Sequence, residues 1–94
     1  MSSESEHVHL NNHHRDTLEK IFQHPTSHNI EWPDVMSLLD VVGTVTENHD
    51  GKFVVTLGPE TETFVRPGHK DVDIQTVVDL RRMLRGAGYE GKAE

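Results

Sequence analysis

The chain has 94 residues, no cysteine and a formal net charge of −7. That length fits one domain with a small core, burying about 60–65% of the surface its unfolded chain exposes. The composition excludes disulfides and thiolate metal sites, no apolar run is long enough to span a bilayer, and the acidic balance argues against a uniformly basic nucleic-acid binder.

In chain order, residues 1–10 hold mainly serine, glutamate and histidine, so a disordered tail is expected. Met1-Ser2-Ser3-Glu4-Ser5-Glu6 lacks the basic start and apolar stretch of a signal peptide. The expected compartment is therefore the cytosol, in a bacterium. A first helix is expected from Asn12, taken as its N-cap, to Gln23, with Leu18, Ile21 and Phe22 on one apolar face. His24-Pro25 ends it, because the residue before proline avoids the α region.

After a loop over residues 26–31, Pro33 suits the first turn of a second helix. Val35, Leu38, Leu39 and Val42 recur at helical spacing, and Gly43 serves as the C-terminal cap. Trp32 is expected to pack where this helix meets a sheet. Three short strands follow, over residues 44–48, 53–57 and 61–66. Asp50-Gly51 is a strong hairpin signal between the first two, read as a turn with φ > 0 at both positions. Gly58-Pro59 makes the second turn, and Pro67-Gly68 ends the third strand. A last helix begins after Asp73 and runs to about Gly86, with Ile74, Val77, Leu80 and Leu84 as its buried stripe. Arg81, Arg82 and Arg85 are expected along one flank. The order is α-α-β-β-β-α, an α+β fold of one antiparallel sheet and one helical layer. The first helix is an addition that packs at an edge or mediates association, and residues 33–89 are the expected core unit.

Charge is unevenly spread. Residues 1–43 carry 7 acidic and 2 basic side chains, a balance of −5, and residues 44–94 carry 9 and 7, a balance of −2. Any phosphate-binding surface must be a local patch on the second half. The loop holding His69 and Lys70 leads into a helix N-terminus, where anions bind well. Arg81, Arg82 and Arg85 repel one another at their spacing and call for anionic partners, as Lys52 at the hairpin would in an RNA-binding role. The chain also holds eight histidines. His7, His9, His13 and His14 do not have the i, i+4 spacing of a helical metal site, and no carboxylate or thiolate completes one, so no metal or other cofactor is expected.

From residue 29 to 89 the sequence resembles the HicA toxin family. The resemblance rests on Trp32-Pro33-Asp34-Val35 through Leu39, the Asp50-Gly51 hairpin, Arg66-Pro67-Gly68-His69 with Lys70, and Val77-Val78-Asp79-Leu80-Arg81-Arg82-Met83-Leu84 closing on Gly86-Ala87-Gly88-Tyr89. It implies a fold like the double-stranded-RNA-binding domain, mRNA cleavage and a HicB-type antitoxin as partner. The family's usual catalytic histidine follows Gly-Ser at the start of the second strand, whereas Gly51 here is followed by Lys52 and Phe53. Another part of the family keeps a histidine near an Arg-Pro pair, as His69 is here.

RNA cleavage needs a base for the 2′-hydroxyl proton and cations for the charge that builds on phosphorus. His69, and secondarily His49, are the candidate bases. Lys52, Arg66, Lys70, Arg81, Arg82 and Arg85 are the candidate RNA-binding cations. Two alternatives share this fold: a catalytically inactive RNA-binding module and a protein-interaction domain.

Overall fold

The computed structural model describes residues 10–26 and 29–89. Three helices and a three-stranded antiparallel sheet follow in the order α-α-β-β-β-α, so the expected α+β class and element order hold. The tail expected over residues 1–10 lies outside the described residues except at its last position. Leu10 is buried, with 8% of its surface exposed, and belongs to the core.

Helix α1 spans Asn12–Phe22. Its N-cap is Asn11, one residue before the expected Asn12; the Asn11 side chain accepts a 2.8 Å hydrogen bond from the His14 backbone N–H. Helix α2 spans Trp32–Val42, with Pro33 in its first turn, where a missing N–H leaves no bond unmade. Gly43 then turns the chain into the sheet. A Cβ at Gly43 would sit 2.2 Å from the Thr56 carbonyl oxygen and 2.5 Å from Leu57 Cδ2, so only glycine lets α2 lead directly into a strand paired with its neighbour.

The strands are β1 (Thr44–Glu47), β2 (Lys52–Leu57) and β3 (Glu60–Val65), with β2 central. The first turn differs from the expected two-residue form. Asn48 donates its N–H to the Lys52 carbonyl at 2.7 Å, and Gly51 donates back to the Asn48 carbonyl at 3.1 Å. His49, Asp50 and Gly51 thus form a three-residue loop in which Gly51 alone has positive φ, +87°. A turn closed by one left-handed glycine needs no strained aspartate.

Alternation along β2 puts Phe53, Val55 and Leu57 on the buried face, beside Val45 of β1 and Phe64 of β3. Thr44, Thr46, Val54, Thr56, Thr61 and Thr63 alternate with these and face the other way. The Thr56 and Thr61 hydroxyls lie 3.0 Å apart across the pair.

Helix α3 spans Ile74–Gly86 and is capped by Asp73, whose carboxylate accepts the Thr76 N–H at 2.8 Å. Its buried stripe is Val77, Leu80, Met83 and Leu84. Ile74, expected in that stripe, is 38% exposed, and Met83, absent from it, is fully buried. Both differences reflect one small rotation of the helix about its axis.

The α2 backbone lies along β1 and β2, and that of α3 along β2 and β3, while α1 lies against both helices and alongside no strand. The first helix is therefore a third layer over the helix pair and not an edge addition. Leu18 and Ile21 are its buried anchors. His13 Nε2 meets Asp34 Oδ1 at 3.1 Å and His14 Nε2 meets Ser37 Oγ at 2.8 Å, so two of the eight histidines fasten α1 to α2. Among the described residues no helix is long and apolar enough to cross a membrane, and no group of side chains could hold a metal ion.

Candidate nucleic-acid interface

The strand directions bring two loops to one end of the sheet. The β1–β2 turn carries His49 and leads into Lys52, which pairs with Val65 at the far end of β3. The chain leaves Val65 through Arg66, Pro67, Gly68, His69 and Lys70 before α3 begins. A short backbone clip fixes this loop. Trp32 N–H donates to the Lys70 carbonyl at 2.7 Å, Val72 N–H donates to the Ile30 carbonyl at 2.8 Å, and Glu31 faces Asp71 in an antiparallel bridge. Ile30 and Val72 are buried beneath it. The N-termini of α2 and α3 thus both emerge beside the clip, at the end of the sheet that carries Lys52 and Arg66. Helix N-termini direct partial positive charge outward, which favours an anion there.

Arg66 is held over the Phe53 ring, its guanidinium carbon 5.8 Å from the centroid. Phe53 in turn meets Trp32 edge to face, with centroids 5.3 Å apart at 74°, so Trp32 does lie at the helix–sheet junction. Lys52 and His69 are exposed, and among the described residues no hydrogen bond or ion pair engages either side chain. Lys70 faces Glu31 at 3.8 Å with most of its side chain in water, a weak pair that an incoming phosphate can replace. The end is not uniformly positive. Asp50 accepts the Lys52 backbone N–H at 3.3 Å, and Asp71 and Asp73 follow Lys70. Thr76, through its side chain and then its backbone N–H, holds the Asp73 carboxyl below its usual range, and the nearby His69 adds to that lowering.

The three arginines of α3 do not join this group. They divide between two sides of the helix instead of sharing one flank. Arg81 reaches α1: its Nε donates to the Ile21 carbonyl and one terminal nitrogen to Thr26 Oγ1, both at 3.1 Å. Arg85 lies over the Phe22 ring at 5.4 Å. Arg82 crosses to β3, donating to Glu60 at 2.6 Å and also to Glu62. The bond to Glu62, followed by the charges of both glutamates, holds the guanidinium more firmly protonated. The anionic partners that the arginine spacing demanded are therefore inside the chain.

The alternation of β3 contained that signal. Glu60 and Glu62 share a face with Phe64, so both carboxylates point toward the helix layer, where a cation must meet them. Four of the eight expected site residues, Lys52, Arg66, His69 and Lys70, lie together at the clip end. His49 lies in the turn at the same end. Arg81, Arg82 and Arg85 serve the packing of α1 and β3. Comparison with protein-family models, with curated proteins and with solved structures finds no match to this chain.

Proposed function

We propose that this chain is an RNA-binding protein of the HicA-like type, with a fold like the double-stranded-RNA-binding domain, and that it meets phosphates through Lys52, Arg66, His69 and Lys70. The reading is carried by the grouping of these four residues at the one end of the sheet where two helices begin. Cations and helix N–H groups aimed at the same space position a nucleic-acid backbone without reading its sequence. The α2-β1-β2-β3-α3 order is the order that the resemblance implies.

His69 is the group to which a cleavage role falls. An imidazole takes the 2′-hydroxyl proton, the freed oxygen bonds to phosphorus to give a 2′,3′-cyclic phosphate, the bond from phosphorus to the 5′-oxygen breaks with that oxygen taking a proton from water, and Lys70 and Arg66 offset the charge that builds on the phosphate. In this role the chain is the toxin of a pair and mRNA is its target. Its partner is a HicB-like antitoxin that covers the same cations with acidic side chains.

The test is binding of a structured RNA at low salt by fluorescence anisotropy. The Lys52→Glu/Lys70→Glu double variant should bind at least about tenfold more weakly and show a shallower salt dependence, because each phosphate contact adds about 0.7–0.9 to the slope. Equal binding by the variant and the parent chain would place the RNA elsewhere or nowhere. His69→Ala should abolish any cleavage while leaving binding within a few-fold. Cleavage that survives it would remove His69 from the chemistry.

A further inference from the structure

Three large apolar side chains among the described residues are notably exposed: Val65 at 67%, Val78 at 43% and Ile74 at 38%. Val65 ends the open edge strand β3 and Val78 precedes Arg82 by one turn, whereas Ile74 lies nearer the line of Arg81 and Arg85 on the α1 side of the helix. Arg82 reaches down to Glu60 and Glu62 of β3. Val65 lies at the end of β3 and points to the opposite face of the sheet from Phe64. A ligand on one face would cover Val65 or Val78, but not both. An added strand in the plane of the sheet would border both Val65 and the Val78 flank of α3, because its side chains project to both faces.

The edge itself is open to such pairing. All six β3 residues pair with β2 in continuous register, with no bulge, proline or lysine among them. These are the devices by which edge strands resist addition. The inward carboxylates of Glu60 and Glu62 are another such device, but Arg82 of the same chain already partners both. The other edge strand, β1, is only four residues long.

We infer that β3 pairs antiparallel with β3 of a second copy of this chain, joining the two sheets into one of six strands. Charge and geometry select the occupant and the register. A two-fold axis normal to the sheet pairs residues of the same face, so Glu62, Thr63 or Phe64 must lie on the axis. Centring on Glu62 opposes two like carboxylates, and centring on Phe64 extends the pairing through Pro67, which cannot donate. Centring on Thr63 does neither. It sets Glu60 opposite the partner's Arg66, Glu62 opposite the partner's Phe64, and Val65 against the partner's Thr61. The acidic start of one strand meets the basic end of the other twice over. Because α3 lies over β2 and β3, the two α3 helices then run antiparallel at roughly 10 Å, the ordinary helix-packing distance, with the flank that carries Val78 and Arg82 turned toward the partner.

The chain has no cysteine, which makes the register directly testable. Thr63→Cys introduces a lone thiol that the axis would place opposite its copy. Directly opposed residues have Cα atoms about 4.5–5.5 Å apart, within the range a disulfide spans. Mild oxidation should convert this variant to a covalent dimer, while Thr46→Cys on β1 should remain monomeric.

Sedimentation equilibrium of the parent chain from about 10 μM to 0.5 mM should show a reversible dimer. Val78→Glu should weaken it about tenfold or more, because a carboxylate would be buried between the helices. Val78 is outside the proposed RNA surface, so RNA binding by this variant at low protein concentration should be unchanged. A parent chain that stays monomeric across this range would overturn the inference. So would a dimer that Val78→Glu leaves intact, or faster oxidative coupling at Thr46→Cys than at Thr63→Cys. Lys52 and Lys70 lie outside the pairing, so their double variant tests the RNA reading separately from these outcomes.

Discussion

Replacing Ile21 by alanine tests whether α1 is part of the folded unit or an appendage. Ile21 is fully buried where α1 meets the other two helices. The substitution removes three carbons, a transfer loss of about 2.4 kcal/mol at about 0.8 per methylene. It also leaves a space of roughly 70 Å³ at most, adding up to about 1.7 kcal/mol if the surroundings do not collapse. Alanine's better helix propensity returns a few tenths of a kcal/mol. The expected loss is about 2–4 kcal/mol, a large part of the total stability of about 5–15 kcal/mol usual for small domains. Urea denaturation followed by circular dichroism reads this as a midpoint lowered by roughly 1–3 M at an ordinary slope, with one transition. Glu19→Ala, on the exposed side of the same helix, should stay within about 0.5 kcal/mol of the parent chain. If Ile21→Ala behaves like Glu19→Ala, or if α1 melts in a separate early transition, its place as a third layer is wrong.

Met83→Ala should destabilise by about 2–4 kcal/mol and Ile74→Ala by less than about 1, read from denaturation midpoints; the reverse order would return the helix to the face its sequence spacing suggested. Gly43→Ala should cost about 1–3 kcal/mol, since its Cβ has no room against the Thr56 carbonyl, and amide exchange in β1 should accelerate first. Asp73→Ala should cost about 1 kcal/mol at pH 7 through the lost cap. The folded-state pKa of Asp73 is lowered, so this contribution is fully present above the unfolded value of about 3.9 and fades as pH falls through the lower folded value. The stability difference between parent and variant should therefore vanish at the acid end of a pH series. A constant difference would show that the carboxylate charge plays no part.

The element order was legible because each element carries its own local signal. Asp73, Gly43 and Pro33 mark helix ends through backbone chemistry, and Phe53, Val55 and Leu57 show their face by alternation alone. What depended on long-range contact was not legible. Nothing near Arg81 in sequence points to the Ile21 carbonyl sixty residues away, and for Arg82 the only signal lay in β3, where Glu60 and Glu62 alternate onto the face of Phe64 without naming which cation meets them. Three arginines close together on one helix read as a ligand surface until the fold showed packing partners for each. Leu10 and the two histidines that fasten α1 lack a periodic neighbourhood, so their burial and contacts followed only from the placement of α1 over α2. The clip between residues 30–32 and 70–72 is too short to show alternation. Yet it holds the loop that brings His69 and Lys70 to the same end of the sheet as Lys52 and Arg66.

The most direct test of the account is an amide chemical-shift map of the parent chain titrated with a short RNA hairpin at low salt. Binding at the clip end should shift residues 49–52 and 66–72 and the first turn of α2, and leave residues 81–87 and the Thr46–Val54–Thr63 face unmoved. Raising the salt toward about 0.2 M should reverse the shifts in parallel, because phosphate contacts are what it weakens. Shifts centred on the second half of α3 or on the open sheet face, or no shifts at all, would contradict the assignment of this end as the RNA-binding surface.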